Sequence, residues 1–122
     1  MVAIVEDDES YRAAVQRFLK SEGFWVESFP SAEDFLNSGR QSETGCLITD
    51  IRMPGMSGLD LQAKLNAENH PIPTIFITAH GEEKMRLQAM RGGAVKFLTK
   101  PFDCGNLLEG VRAALDMTTA PS

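Results

Sequence analysis

Cys46-Leu47-Ile48-Thr49-Asp50 runs directly into Ile51-Arg52-Met53-Pro54-Gly55-Met56-Ser57-Gly58. A short apolar run that ends on a carboxylate and meets Pro and Gly turn signals reads as a buried central strand. It delivers Asp50 to the edge of an open α/β sheet. Ligands bind just outside the carboxyl ends of the strands in such sheets. Other apolar runs end in matching chemistry: Val2-Ala3-Ile4-Val5 meets Glu6-Asp7-Asp8, Thr74-Ile75-Phe76-Ile77 meets Thr78, and Val95-Lys96-Phe97-Leu98-Thr99 meets Lys100-Pro101. An acid cluster, a lone acid, a hydroxyl and a lysine therefore converge on one rim.

Between these strands the apolar residues recur at helical spacing. Glu9 to Glu22 predicts a helix with Tyr11, Ala14, Val15, Phe18 and Leu19 on its buried face, and Gly23 ends it. Trp25 to Phe29 alternates as a half-exposed edge strand. Ser31 followed by Asp34 resembles a capping box with Asp in the usual Glu position, opening a short helix to about Ser38, and Arg40 to Gly45 is a polar loop. Ser57 or Gly58 starts a helix through Leu59, Leu61, Leu65 and Ala67, which His70-Pro71-Ile72-Pro73 stops. Glu82 to Arg91 predicts a fourth helix, with Met85 and Met90 most simply in the core, and Gly92-Gly93 releases it. Asp103 or Cys104 begins a last helix, with Leu107, Leu108, Val111, Ala114 and Leu115 inward, to about Met117. Five strands alternating with five helices make a doubly wound α/β parallel sheet with helices on both faces.

At 122 residues there is room for one domain, which buries roughly two-thirds of its unfolded surface. A net charge of −5 with no Lys/Arg-rich run argues against nucleic-acid binding by this segment itself. No run approaches the roughly twenty apolar residues of a membrane span. The start also lacks the charged n-region of a secretory signal. A cytoplasmic protein with no membrane contact is the expectation, and Cys46 and Cys104, without metal-ligand spacing, read as reduced thiols.

Three carboxylates on one rim repel: at about 4 Å and an effective dielectric near 20, each pair costs roughly 4 kcal/mol. A divalent cation relieves this, and an all-oxygen site with few protein ligands suits Mg²⁺. The plainer reading of Glu6-Asp7-Asp8 is a set of acids favoured by a helix N-terminus, and that is the preferred reading of Asp8. Asp50 taken alone could simply initiate a turn. Thr78 taken alone is an ordinary strand residue and Lys100 a solvated loop lysine, although a cis peptide before Pro101 would aim Lys100 back along the rim. His80 has no second His or Cys at ligand spacing, which argues against a metal role for it. Trp25 reads as a partly covered surface aromatic.

Five segments together carry a resemblance: Ile4-Val5-Glu6-Asp7-Asp8, Asp50 to Gly58, Ile77-Thr78-Ala79-His80-Gly81, Gly93-Ala94-Val95 and Phe97-Leu98-Thr99-Lys100-Pro101-Phe102. The chain resembles, over nearly its whole length, the receiver domains of response regulators in bacterial two-component signalling. In wording it is most similar to those of the nitrogen-fixation (FixJ-like) transcription regulators. The resemblance implies the flavodoxin-like strand order 2-1-3-4-5. It also implies a phosphoacceptor that catalyses only its own phosphorylation and dephosphorylation, and is otherwise no enzyme.

On that resemblance Asp50 takes the phosphoryl group from a sensor histidine kinase. Mg²⁺, or Mn²⁺ in its place, is ligated by Asp7, Asp50 and the Arg52 carbonyl, with Glu6 acting through water on the metal. Thr78 and Lys100 hold the phosphoryl oxygens, and Phe97 turns inward on activation. Arg52 and His80 flank the path of the hydrolytic water, and Pro101 is structural. The face built from the fourth helix, fifth strand and fifth helix would switch, pairing with a second receiver as a homodimer or releasing an output domain through which alone DNA would be bound. Residues 1–117 would form the receiver, and residues 118–122 a frayed end or the start of a linker, as in a receiver cut from a longer regulator. Glu6 replaces the commoner Asp, while Arg86 and Gly92 depart from the small or apolar residue and the alanine of the family pattern.

Two other functions keep part of this chemistry. An aspartyl-phosphate phosphatase of the haloacid dehalogenase type needs a general acid two residues after its nucleophile, where Arg52 stands. A flavin or nucleotide module wants a loop of backbone donors after the first strand, where Glu6-Asp7-Asp8 would repel a phosphate. A receiver that docks partners without phosphorylation usually lacks one of the rim residues, and none is missing here.

Overall fold

Strand residues alternate between two apolar faces, so the sheet is covered on both sides. The structure, a computed structural model, describes residues 1–79 and 81–119. Its elements in chain order are β1 (Val2–Val5), α1 (Glu9–Ser21), β2 (Val26–Phe29), α2 (Ala32–Asn37), β3 (Cys46–Thr49), α3 (Gly58–Ala67), β4 (Thr74–Thr78), α4 (Glu83–Arg91), β5 (Lys96–Thr99) and α5 (Cys104–Thr119). One parallel sheet runs β2-β1-β3-β4-β5. This is the flavodoxin-like order expected, with β1 and β3 paired at its centre.

Val2 and Ile4 pack with Cys46 and Ile48 under α1 and α5, against Val15, Leu19, Leu107, Val111 and Ala114. Ala3, Val5 and Leu47 face the other way, against Ala32 and Phe35 of α2 and Leu61 and Leu65 of α3. Each such fully buried Leu, Ile or Phe contributes roughly 1.5–3 kcal/mol. A smaller cluster of Ile51, Phe76, Ala89 and Ala94 seats α4, with Leu59, Met85 and Phe97 half-buried around it.

Several expectations shift by a residue or a face. Glu82 and Glu22 are caps rather than helical residues. Ser31 accepts the Asp34 N–H as expected, while both halves of a capping box form at Ser57 and Asp60. The expected loop before β3 holds a 3₁₀ turn, Gln41–Glu43. Helix α5 continues past Met117 to Thr119, into the tail expected at 118–122, whose last residues, 120–122, lie outside the described residues. Met90 is 41% exposed rather than core, because α4 docks through a narrow stripe around Ala89 and the next residue turns about 100° away. Ala14 is likewise exposed, α1 burying only Val15 and Leu19 fully. Trp25 is partly covered, with the Arg40 guanidinium 5.5 Å from its ring centroid.

The two departures in α4 have local explanations. Arg86 pairs on the surface with Glu83 one turn earlier. Gly92 follows the last turn, where the buried Gln62 of α3 donates from Nε2 to the Ala89 carbonyl at 3.0 Å and Asn66 donates to the Gly92 carbonyl at 3.0 Å. A Cβ at residue 92 would overlap the Gln62 amide group. Gly92→Ala should therefore destabilise the fold by about 1–3 kcal/mol, as overpacking does. Urea unfolding should show clearly less loss from the same change in a Gln62→Ala background.

Candidate functional site

Strand β1 is buried along its length and hands the chain to Glu6, which is itself buried. The next residues fold back sharply: Asp8 N–H donates to Glu6 Oε2 at 3.3 Å, and Asp8 Oδ1 caps α1 by accepting the Tyr11 N–H at 3.1 Å. Asp8 is thus spent on the helix, the plainer reading of it, whereas Asp7 stays exposed at the rim. The Glu6 carbonyl is held at 2.8 Å by the Arg12 guanidinium, so the turn is tied at both ends.

Asp50 follows β3, only 8% exposed, and its own N–H is bonded to the Val5 carbonyl. Its Oδ1 accepts the N–H groups of Ile51 (2.6 Å) and Arg52 (3.3 Å), which fixes the carboxylate's orientation. The turn beyond it is close-packed. Gly58 donates its N–H to the Ile51 carbonyl at 2.9 Å, and a Cβ there would collide with the Asp50 carbonyl oxygen. Gly55, at φ +79°, takes a conformation that other residues resist, and beside it Glu33 of α2 accepts the Met56 N–H at 3.0 Å. Glycines therefore let α3 start directly on the backbone of the acid it supports.

Lys100 closes the site from the far edge. The Lys100-Pro101 peptide is cis, the Lys100 N–H bonds to the Thr78 carbonyl at 2.8 Å, and the ammonium reaches across the end of β4. It donates to Glu6 Oε1 at 2.6 Å and to Asp50 Oδ2 at 2.9 Å. Burial alone would pull its pKa down, but the bonds to the two carboxylates outweigh that and hold it above its ordinary value. Burial pushes the Glu6 carboxyl up, the Lys100 bond pulls it back, and the neighbouring Asp50 charge raises it again. The net is upward, because burial, helped by the Asp50 charge, outweighs the bond to Lys100.

The carboxylate oxygens of Glu6, Asp7 and Asp50 lie within 4.8 Å of one another. This is an all-oxygen donor set of the kind that hard divalent cations take, and Arg52 stands in the turn beside it. The Lys100 ammonium already sits where positive charge is needed. Thr78 is fully buried at the end of β4, and Phe97 is half-buried on β5 with its ring centroid 6.4 Å from that of Phe76. His80 lies outside the described residues. Two features escaped sequence reasoning. Arg52 pairs with Glu82 at 3.0 Å, bridging the β3–α3 turn to the start of α4, and the Lys100 ammonium lies 4.2 Å from the Tyr11 ring centroid. No local signal in the sequence links residues so far apart.

Residues 2–112 match the response regulator receiver domain family. The chain belongs to that family. Nodulation protein W of Bradyrhizobium diazoefficiens is 47% identical over 116 residues, covering 95% of this chain and 51% of that protein. The transcriptional regulatory protein FixJ of Azorhizobium caulinodans is 40% identical over 114 residues, covering 93% and 54%. Among solved structures, the crystal structure of FixJ-N matches this receiver with a TM-score of 0.85 at 39% identity, covering 94% of this chain and 92% of that one. The low-resolution structure of response regulator StyR matches at 0.89 and 46%, covering 95% and 59%. The nitrogen-fixation resemblance is borne out, and the receiver spans about half the length of the curated relatives it matches. Among the described residues no helix is long and apolar enough to cross a membrane.

The shared ammonium gives the receiver a defined pH response. Lys100→Met should cost about 3 kcal/mol at pH 7, since it leaves two buried carboxylates uncompensated. Glu6, already raised above 4.5, would rise further, so the folded state takes up a proton more readily than the unfolded one. The variant should thus regain stability as pH falls through that raised pKa. The Lys100 contribution in the unaltered receiver runs the other way, present below the ordinary value of 10.5 and lost as pH rises through the higher folded pKa. Urea midpoints from pH 4 to 11, on the ordinary pKa scale, check both limbs.

Proposed function

We propose that Asp50 is the phosphoacceptor of this receiver, taking a phosphoryl group from the phosphohistidine of a sensor kinase. The observation that carries this is the unequal use of its oxygens. Oδ1 is held by two backbone N–H groups, whereas Oδ2 accepts from Lys100, a lysine that has a second acid to turn to. Oδ2 attacks phosphorus, the P–N bond breaks, and its electron pair stays on the leaving nitrogen, so that a phosphoimidazole protonated on its other ring nitrogen departs as neutral histidine. Asp7, Asp50 and the Arg52 carbonyl would hold Mg²⁺ or Mn²⁺ in this reading, with Glu6 acting through water on the metal; the cation would supply neutralisation of the carboxylates and of the incoming phosphoryl oxygens.

Lys100 and the Thr78 hydroxyl then take the phosphoryl oxygens, which bring roughly two negative charges. Two or three charge-assisted hydrogen bonds are of the size needed to move a two-state equilibrium, about 5.5 kcal/mol from 1:99 to 99:1. Thr78 moving toward the phosphoryl group leaves space that Phe97 on the next strand fills, and the face of α4, β5 and α5 changes shape. That face would pair with a second copy or release an output domain, a DNA-binding one if it follows the regulators named above. The receiver unit is taken as residues 1–117 and acts on no substrate but itself.

With Mg²⁺ and acetyl phosphate the receiver should gain one phosphoryl group, readable by intact-mass spectrometry, and Asp50→Asn should abolish it. In the same series Thr78→Ala should still be modified but leave the NMR resonances of Phe97 and Val111 where the unmodified protein has them. Modification of Asp50→Asn at another residue would overturn the assignment.

Arg52, together with His80, is proposed to shield the acyl phosphate from water; the Arg52 side chain is paired with Glu82 at the start of α4. Arg52→Ala should shorten the phosphoryl half-life severalfold, about 1 kcal/mol of barrier, without blocking formation. Equal decay in Arg52→Ala, His80→Ala and the unaltered receiver would remove both residues from this role.

A further inference from the structure

Lys100 has two demands placed on it. Its ammonium neutralises Glu6 and Asp50 together. A divalent cation competing for those oxygens would loosen the ammonium from them, and it has still to stay at the rim. A lysine head with a flexible four-carbon stem would by itself swing out to water.

What lies beside it is the face of Tyr11, 4.2 Å from the ammonium to the ring centroid and well inside the range of a cation–π contact. The ring is fixed from three directions. Asp8 caps the turn of α1 that carries it, through the Tyr11 N–H. Phe102, two residues past Lys100, packs against it with centroids 5.8 Å apart. Val15 and Leu107 line the adjoining apolar groove of about 200 Å³. Burial, with a smaller contribution from the charge of Glu6, raises the phenol's pKa above its ordinary value despite the nearby ammonium, so the ring stays neutral and presents its negative face.

We infer that Tyr11 is a positioning residue for Lys100: its ring face is a neutral resting place that keeps the ammonium at the rim when a divalent cation displaces it from Glu6 and Asp50. This rests on the proposed metal site. While the carboxylates hold the ammonium its charge is already compensated, and the ring adds little. When they are taken, the ring faces an uncompensated charge, and the contact strengthens. Tyr11 therefore favours cation binding through Lys100, without touching the cation.

Tyr11→Phe keeps the ring and drops the hydroxyl, whereas Tyr11→Leu keeps apolar bulk in the groove and drops the ring. Mg²⁺ titration followed by NMR should show affinity within about twofold of the unaltered receiver for Tyr11→Phe and weaker by about three- to tenfold for Tyr11→Leu. In a Lys100→Met background Tyr11→Leu should have no effect on Mg²⁺ affinity. The ε-methylene protons of Lys100 should be shifted upfield by the ring in the unaltered receiver and in Tyr11→Phe, and lie at the random-coil position in Tyr11→Leu. An equal loss of affinity in the Lys100→Met background would make Tyr11 a packing residue only and overturn the inference, as would unshifted Lys100 protons in the unaltered receiver. If Mg²⁺ binds no form at all, the proposed metal site fails, and the metal-free Lys100 shifts still decide whether Tyr11 holds the ammonium.

Discussion

The ammonium of Lys100, 2.6 Å from Glu6 and 2.9 Å from Asp50, ties together the ends of three strands that lie far apart in the chain. Two carboxylates buried this close would be strongly unfavourable without a shared counter-ion. The rest of the rim answers to that constraint. Backbone donors of Ile51 and Arg52 take up one Asp50 oxygen, Asp8 is turned away into a helix cap, and Asp7 is left in solvent. A site neutralised by a side chain on a flexible stem is one that a harder, doubly charged cation would enter by exchange, because the ammonium and such an ion would compete for the same oxygens.

Rigidity in the scaffold makes that exchange local. Helix α3 begins in contact with the Asp50 backbone at Gly58, and the turn between them is anchored to α2 through Glu33. Helix α4 is held differently at its two ends. Its last turn is bound to α3 by the buried Gln62 and by Asn66, whereas its start is joined to the rim through the exposed Arg52–Glu82 pair. Exposed ion pairs are worth little, typically under about 1 kcal/mol. Motion in α4 is therefore cheapest at the end nearest the site.

The fold was legible because each strand is a compact apolar run closed by turn residues, and because the crossover helices show clean periodicity. The rim was legible for a related reason: a residue at the end of a buried strand has only one place to be. Side-chain partnerships were not. Nothing near Tyr11 announces Lys100, and nothing near Gln62 announces that a polar residue at a core position will be satisfied by a carbonyl of another helix. Periodicity also overstated burial where a helix touches the core through a single stripe, as Met90 and Ala14 show. The unexpected glycine at residue 92 became intelligible only beside Gln62.

The chain's two cysteines occupy opposite chemical situations. Cys46 is sealed within the central strand, and burial pushes its thiol up to about 12. Cys104 is exposed at the first turn of α5, on the lip of the groove that Tyr11 and Phe102 share. An alkylating dye or spin label would therefore reach the exposed Cys104 and be shut out from the buried Cys46. The unaltered sequence thus offers a single addressable point for spectroscopy, a short distance from the lysine on which the site depends.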